Sequence, residues 1–402
     1  MKRLCALVVA IMCPVCCSIM LLASCSSGIE PRNMAITNSA IYDYDESGLF
    51  HVILEIIDSK GSDSQSNTGI VTQSRTSVIT SASDYTLSGA ITAIADKLDK
   101  TLFGTHNRIR FLTERMASNE LAMQEFVDFI IRNDEFDERP LLFIIKDEDI
   151  EKLFKADIGL HTLLGEYVYG TSRSNIESSS DGVFITTLKF IIDILEDGQD
   201  PVAGFVSVNN KDLNLSGAAS DEYELAFEGM AVFNGIKYIS YMSKDDAIVY
   251  NALAGKFKRA RLSIYNDEIS TAVEMYEMHS CINVEYANEQ ILLDVEIKAK
   301  LRTGEILKQS DRSISASNLK EQIEILAESK MKSMIQDTLT VSRDEIETDI
   351  FGIGNLLRVS APNKWRMVAQ NGKYINAMVI NNIIVDFSVT YFGELINPFT
   401  GD

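Results

Sequence analysis

Apolar residues recur with two different periods along the chain, and these periods predict a mixture of helices and strands. Three segments between residues 85 and 200 carry apolar positions three and four residues apart, the spacing of a helix that buries one face. Elsewhere the apolar residues form short runs or alternate with polar ones, as in strands. The serine-rich stretch 172–180 is predicted to be a loop. In this half the predicted strands are 34–42, 49–57, 70–82, 108–112 and 141–145. Helices are predicted to begin at or after Asp84, Ser118 and Asp147, and a further helix is predicted over 188–195.

The second half of the chain carries stronger local signals. Asn234 and Gly235 stand between two apolar runs, and this dipeptide predicts a tight β-hairpin. Ser243 and Asp246 follow with the spacing of a helix capping box, with Asp in the place of Glu. Residues 293–301 alternate apolar and polar side chains, which predicts a strand with one buried face. The pattern ends with a long helix over 318–339 and a closing strand over 383–392.

Strands and helices are mixed without a regular strand–helix alternation. The sequence therefore predicts an α+β, multi-domain protein in which mixed or antiparallel sheets pack against helices. A polar stretch with Gly and Ser at 209–220 marks the predicted boundary. It separates an N-terminal domain over 34–208 from a C-terminal domain over 221–402. Residues 221–258 either belong to the second domain or form a small middle domain.

The first 25 residues have the layout of an export signal. Lys2 and Arg3 precede an apolar run over 4–23, and Ser24 and Cys25 follow it. This order resembles the lipobox of bacterial lipoproteins, in which the Cys receives a diacylglyceryl group and the chain is cut before it. Residues 1–24 would then be a lipoprotein signal peptide, cleavage would fall between Ser24 and Cys25, and 25–33 would be the lipidated Cys and a tether. The alternative is an uncleaved transmembrane helix, because about 20 apolar residues can span a bilayer.

Cysteine usage and charge narrow the possible partners. Of the six cysteines, Cys25 would carry lipid and Cys281 alone would remain unmodified in the mature chain, which leaves no intrachain disulfide. Cys281 is predicted to be a small core residue. Loss of 1–24 removes Lys2 and Arg3 and no acid, so the formal charge falls from −21 to −23. Such a chain repels nucleic acid and anionic membrane surfaces, so lipid is the expected membrane attachment.

A search for catalytic motifs gives weak candidates only, so no enzyme activity, cofactor or catalytic residue is expected. The four histidines are far apart, and none has the spacing of a metal-ligand motif. Gly352 and Gly354 are too close together for a phosphate loop and predict a tight turn.

Three acidic segments could form either a functional site or an ordinary structural feature. Residues 43–48 match the first half of a calcium loop, but Leu54 stands where the bidentate Glu is needed. The flanks are strand-like, so a hairpin turn is the favoured interpretation and no metal site is expected. The acidic clusters 134–138 and 147–151 could supply paired catalytic carboxylates in principle. Their position at polar helix ends favours capping or solvation.

The order of these segments resembles the C subunit of bacterial spore germinant receptors, the Ger(x)C family of lipoproteins. No block is distinctive alone, but their order and spacing together carry the resemblance. The sequence departs from the family at Ser26, where a Trp is common, and over 368–382. The matching blocks are Cys25, 38–41, 51–57, 106–108, 126–129, 132–135, 141–146, 200–202, 228–235, 242–247, 349–354, Pro362 and Trp365.

The resemblance implies several α+β domains and a role as the non-enzymatic lipoprotein subunit of a nutrient germinant receptor. The implied partners are the A and B membrane subunits, and the implied location is the outer face of the spore inner membrane, held there by lipid. A stand-alone extracytoplasmic solute-binding lipoprotein is the alternative. Such proteins usually have two lobes rich in βαβ units, and this alternation is missing here.

Overall fold

The computed structural model describes residues 33–57, 77–133, 139–159, 161–211, 223–308, 316–369 and 374–391. Its larger sheet has ten strands in the order β10-β9-β8-β6-β5-β1-β2-β3, with β4 beside β1 and β7 beside β9. The strands are β1 Met34–Tyr44, β2 Phe50–Ile57, β3 Ser77–Asp84, β4 Thr101–Phe103, β5 Ile109–Thr113, β6 Leu141–Ile145, β7 Ala156–Asp157, β8 Val202–Asn210, β9 Tyr223–Asn234 and β10 Lys237–Met242.

Strands β1, β5, β6 and β8 run parallel in the middle of this sheet, and helices cover both of its faces. Because both faces are covered, these strands are buried almost throughout, polar residues of β1 and β5 included. Phe111 packs into the core on one face with α4 and α5, and its neighbour Leu112 packs into the core on the other with α1, α3 and α6. The helices are α1 Leu87–Ala95, α2 Glu114–Ala117, α3 Glu120–Arg132, α4 Ile150–Leu153, α5 Leu164–Ser178 and α6 Thr187–Leu195.

The smaller sheet has four strands in the order β11-β12-β13-β14, and β13 pairs with β14 in parallel. One long helix, α8, packs its apolar side chains against one face of this sheet. On β13, the alternating residues of 293–301 are buried on that face as expected. The elements of this half are α7 Lys244–Leu253, β11 Arg259–Tyr265, β12 Ile269–Ala287, β13 Gln290–Lys308, α8 Ala316–Thr340, α9 Ile353–Ser360, α10 Pro362–Ala369 and β14 Met378–Tyr391.

The α+β, multi-domain prediction is confirmed, with two mixed sheets packed against helices. The hairpin is confirmed too, although Gly235 and Ile236 form its turn and Asn234 still pairs with Lys237. Ser243 and Asp246 form the predicted capping box at the start of α7. Thr186 caps α6 by accepting a hydrogen bond from the Lys189 N–H.

One feature differs from the sequence-based expectations. The loop predicted over 172–180 is wrong, because residues up to Ser178 continue helix α5. Strand β9, which follows the predicted boundary at 209–220, pairs with β8 in the larger sheet. Within the described ranges, no helix is long and apolar enough to span a membrane. The predicted signal peptide and tether up to residue 32 lie outside those ranges.

Candidate functional site

Three segments that are distant in sequence meet at Asp200, and we call this place the junction. Asp200 follows α6, Gly235 forms the β9–β10 turn, and Asp349 precedes α9. The Asp200 carboxylate accepts hydrogen bonds from the Gly235 N–H at 2.8 Å and from the Asp349 N–H at 2.7 Å. In return, the Asp200 N–H donates to the Asp349 carbonyl oxygen at 2.9 Å. One carboxylate therefore joins the larger sheet to the segment that leads into α9.

Asp349 is the second acid of the junction, and its side chain is almost fully buried. Its carboxylate oxygens accept the backbone N–H groups of Ile353 at 2.9 Å and Gly354 at 2.7 Å. The Tyr374 hydroxyl donates to the same carboxylate at 3.1 Å. Because Ile353 and Gly354 are the first residues of α9, Asp349 accepts backbone N–H groups that have no partner within the helix.

Burial dominates the electrostatics of both acids. Desolvation raises the pKa of Asp349 to about 7, against the lowering effect of the two backbone donors. Burial likewise raises the pKa of Asp200, which the N–H groups of Asp349 and Gly235 partly oppose. Each carboxylate is held by donors inside the fold, so the junction is suited to holding segments together and has the features of a structural site.

Glycine allows the backbones at the junction to approach closely. Gly198 has a φ of +80°, a region that favours glycine, and its carbonyl accepts the Asn355 N–H at 2.8 Å. A Cβ added to Gly354 would lie 2.8 Å from the Cα of Gly198 and 2.9 Å from Cζ3 of Trp365. The Trp365 ring also packs edge-on against Tyr374, with ring centroids 5.0 Å apart. The helices α9 and α10 are thus fixed against the loop that follows α6.

The predicted lipidation and cleavage residues, Cys25 and Ser24, lie outside the described residues, and so does the acidic cluster 134–138. Cys281 is described, and the prediction of a core position for it is wrong. It lies on β12 with its side chain exposed. The part of β12 after Glu277 alternates between half-buried and exposed residues, and Cys281 falls on the exposed side.

The half calcium loop is the turn between β1 and β2, as the favoured interpretation expected. Its Asp45 carboxylate accepts hydrogen bonds from the Ser47 hydroxyl, the Leu49 N–H and the His51 ring, and these lower the pKa of Asp45. Asp43 instead pairs with Arg115 and accepts the Thr113 hydroxyl at 2.6 Å. In the described part of the chain, no cluster of three or more His, Cys, Asp or Glu side chains is arranged to hold a metal.

The acidic cluster 147–151 is used for packing. Asp147 accepts the Arg115 N–H, whereas buried Asp149 accepts the Val208 N–H at 3.0 Å and pairs with Lys152. Asp147 does not cap α4, because Asp147 begins a short 3₁₀ turn and the residue at the cap position of α4 is Asp149.

The histidines are dispersed in the structure as they are in the sequence. His51 binds Asp45 and Ser83, whereas His106 and His161 contact the rings of Phe103 and Tyr167.

Sequence reasoning missed the junction acids as a pair. Asp200 and Asp349 are 149 residues apart, so no local spacing links them. The available signal was that both lie in blocks of the family resemblance, but that gave no reason to place the blocks in contact.

Comparison with known proteins covers most of the chain. A family model described as "Spore germination protein N-terminal domain" matches residues 28–208, and one described as "Spore germination B3/ GerAC like, C-terminal" matches residues 228–393. No curated protein sequence matches the chain. A solved structure described as "Crystal Structure of the GerBC protein" aligns with 88% of this chain and 96% of its own, with a TM-score of 0.53 and 13% identity. At this identity the structural match concerns the fold. On the two family matches, the chain belongs to the Ger(x)C family of spore germination proteins.

Proposed function

We propose that the chain is the lipid-anchored subunit of a nutrient germinant receptor and that its role is assembly or signalling without catalysis. The observation that carries the proposal is the pair of family matches over 28–208 and 228–393, which together include both sheets. The junction supports it as well, since a network that fixes the larger sheet to the segment leading into α9 gives a partner one rigid surface.

The proposed anchor is a lipid on Cys25, after cleavage behind Ser24. The net charge of −21, or −23 after removal of the signal, would repel an anionic membrane surface. A protein with this charge needs a hydrophobic anchor to stay at such a membrane, and two acyl chains provide a stable one. The family resemblance implies the location that we propose for the anchored chain, the outer face of the spore inner membrane.

The proposed partners are the A and B membrane subunits of the receptor. Helix α6 has a candidate contact surface for them, because Leu188, Ile192 and Leu195 are exposed at helical spacing. An exposed apolar stripe on a strongly charged protein is typical of a contact with another protein. Next to it, Glu196 forms an ion pair with Arg358 of α9, where Val359 is also exposed.

The test uses spores of a strain with a single receptor operon. Spores that lack this gene are expected to lose the response to the nutrient germinant, measured as the fall in optical density, and still to germinate with agents that bypass the receptor. The amounts of the A and B subunits, measured by blotting, are expected to fall in parallel, because binding stabilises partners. An unchanged nutrient response in this strain would overturn the proposal.

Surface variants test the contact site separately. Ile192→Glu and Leu195→Glu are expected to reduce co-purification of the A or B subunit, because each places a charge in an apolar contact. Leu121→Glu, at an exposed position of α3, is the matched control and is expected to leave co-purification unchanged. If the control and the α6 variants behave alike, α6 is not the contact site, whatever the result of the deletion.

A further inference from the structure

A cavity of about 200 Å³ lies beside the junction, where α6, the end of α7 and the segment after Asp349 come together. Two lysines line it, Lys189 from α6 and Lys256 from just beyond α7. Apolar and aromatic groups form much of the remaining wall, among them Tyr250, Leu253 and Phe351. An engineered apolar cavity of about 150 Å³ holds a benzene molecule, so this cavity has room for a small organic molecule.

Lys256 is the unusual residue of this cavity. Its Nζ atom is buried and has no hydrogen-bond partner, and it lies 5.3 Å from the centroid of the Tyr250 ring. Burial lowers the pKa of Lys256, and the charge of Lys189 lowers it further. A buried ammonium is normally paired with an acid, because leaving a desolvated charge without a counter-ion is strongly unfavourable.

The nearby acids already have partners. Asp193 forms an ion pair with Lys189 and also accepts a hydrogen bond from the Gln199 amide at 3.1 Å. Glu196 is paired with Arg358. The charge of Asp193 raises the pKa of Lys256, but this is the smallest of the three effects on that pKa. Two lysines thus line the cavity, and Asp193, which pairs with Lys189, is not among the lining residues.

We propose that this cavity binds a small monocarboxylate, whose carboxylate pairs with Lys256 and whose short apolar part packs on Tyr250, Leu253 and Phe351. The two lysines supply the charge complementarity, and the apolar wall favours an organic anion over an inorganic one. A zwitterion fits less well, since Asp193 is engaged by Lys189 and Gln199 and is not open to a ligand ammonium. Because the lining residues come from both sides of the junction, the bound anion would stabilise the folded arrangement. This inference goes beyond the proposed receptor role and does not depend on it.

Ligand-dependent melting of the purified full-length protein tests the proposal. Sodium propanoate and sodium benzoate are compared with phosphate and chloride at constant ionic strength. The carboxylates are expected to raise the melting temperature in a saturable way, because a ligand that binds only the folded state stabilises it. Phosphate and chloride are expected to give no saturable shift. Isothermal titration calorimetry gives the affinity.

Three variants locate the binding. Lys256→Met removes the ammonium and keeps the stem, and it is expected to weaken carboxylate binding at least about tenfold, the loss of one charged hydrogen bond. Lys256→Arg keeps the charge and is expected to retain binding to within a few-fold, which a purely structural role for Lys256 does not predict. Lys258→Met changes an exposed lysine two residues away and is expected to bind like the wild type.

Several results would overturn the proposal. One is that no carboxylate shifts the wild-type melting temperature more than chloride does. Another is that Lys256→Met binds as tightly as the wild type. If Lys256→Met does not fold, Lys256→Arg decides: loss of binding in a folded Lys256→Arg protein rejects Lys256 as the anion partner. A phosphate shift equal to the propanoate shift would reject the choice of a carboxylate ligand.

Discussion

Replacing Asp349 by Ala tests whether the junction stabilises the fold. The change removes the carboxylate that accepts the Ile353 N–H, the Gly354 N–H and the Tyr374 hydroxyl. Each buried donor left without an acceptor costs about 1–3 kcal/mol. Water can enter the space left by the side chain and satisfy part of this loss, so we expect a total of roughly 3–5 kcal/mol. Domains are stable by only about 5–15 kcal/mol, so the effect would be large.

Urea denaturation of the purified protein at about pH 4, followed by circular dichroism, measures the change in the free energy of unfolding. The low pH is chosen because the contribution of Asp349 to stability falls as the pH rises toward its pKa of about 7. Tyr374→Phe removes one donor and leaves the carboxylate with its two backbone partners, so we expect a loss of about 0.5–1.5 kcal/mol. Asp344→Ala is the matched control, because Asp344 is an exposed acid whose charged partner is its neighbour Arg343. Its effect should stay within about 0.5 kcal/mol.

The ranking of the three variants decides the outcome. If Asp349→Ala costs no more than Tyr374→Phe, the two backbone hydrogen bonds to Asp349 do not contribute to stability. If it costs no more than Asp344→Ala, the junction as a whole is not a stabilising network. Either result would refute the reasoning from buried donors.

Four further predictions follow from the sequence and the structure. The folded-state pKa of Asp349 is raised from 3.8 to about 7, so the folded state binds the proton more tightly than the unfolded state does. The contribution of Asp349 to stability is therefore lost as the pH rises from about 4 to about 7. Asp349→Asn should flatten this pH dependence in urea melts at several pH values. Gly354→Ala should destabilise by about 1–3 kcal/mol or more through overpacking, whereas Gly170→Ala, with no neighbour closer than 3.8 Å, should be neutral or stabilising in the same assay. Cys25→Ala should abolish both fatty-acid labelling and cleavage after Ser24, as read by mass spectrometry of the N-terminal peptide, and a free thiol on an uncleaved wild-type chain would contradict this prediction. A chelator should leave the melting temperature of the chain from Ser26 onward unchanged, because Asp43 and Asp45 already have protein partners, and a large fall would revive the calcium loop.

Elements with a strong local signal could be predicted from the sequence. The capping box of Ser243 and Asp246 and the hairpin turn at Gly235 depend on hydrogen bonds and backbone angles within a few residues. The alternation over 293–301 depends only on which face of β13 is buried. In each case the cause lies inside the segment, so the segment's own residues were enough.

Helix α5 could not be predicted in the same way, because the many polar residues in its second half are typical of a loop. In the structure, Ser172 and Ser178 donate hydrogen bonds to the carbonyl oxygens four residues earlier, so their hydroxyls are satisfied within the helix. The buried stripe is narrow and includes Leu164, Val168 and Ser172. Tertiary packing against β1 and β5 supports this helix, and that support is not visible in the local pattern.

The junction could not be predicted because each of its acids has an ordinary local context. Asp200 precedes a Pro and Asp349 precedes an apolar pair, and neither spacing indicates a buried carboxylate. The burial of Lys256 could not be predicted either, since Lys256 follows Gly255 at a helix end, where lysines are usually exposed. Burial makes these residues unusual, and it arises only when segments that are far apart in sequence meet.

The junction also links the segments on the two sides of the predicted boundary at 209–220. The hairpin after it supplies β9, which pairs with β8, and the Gly235 turn, which binds Asp200. Asp200 also holds Asp349, and Asp349 in turn holds the start of α9. Separating the chain at the boundary would expose the edge of β8 and remove both backbone donors of the Asp200 carboxylate. The two halves therefore depend on each other for hydrogen bonding as well as for packing, and a partner that binds α6 contacts a surface whose position is set by residues of both halves.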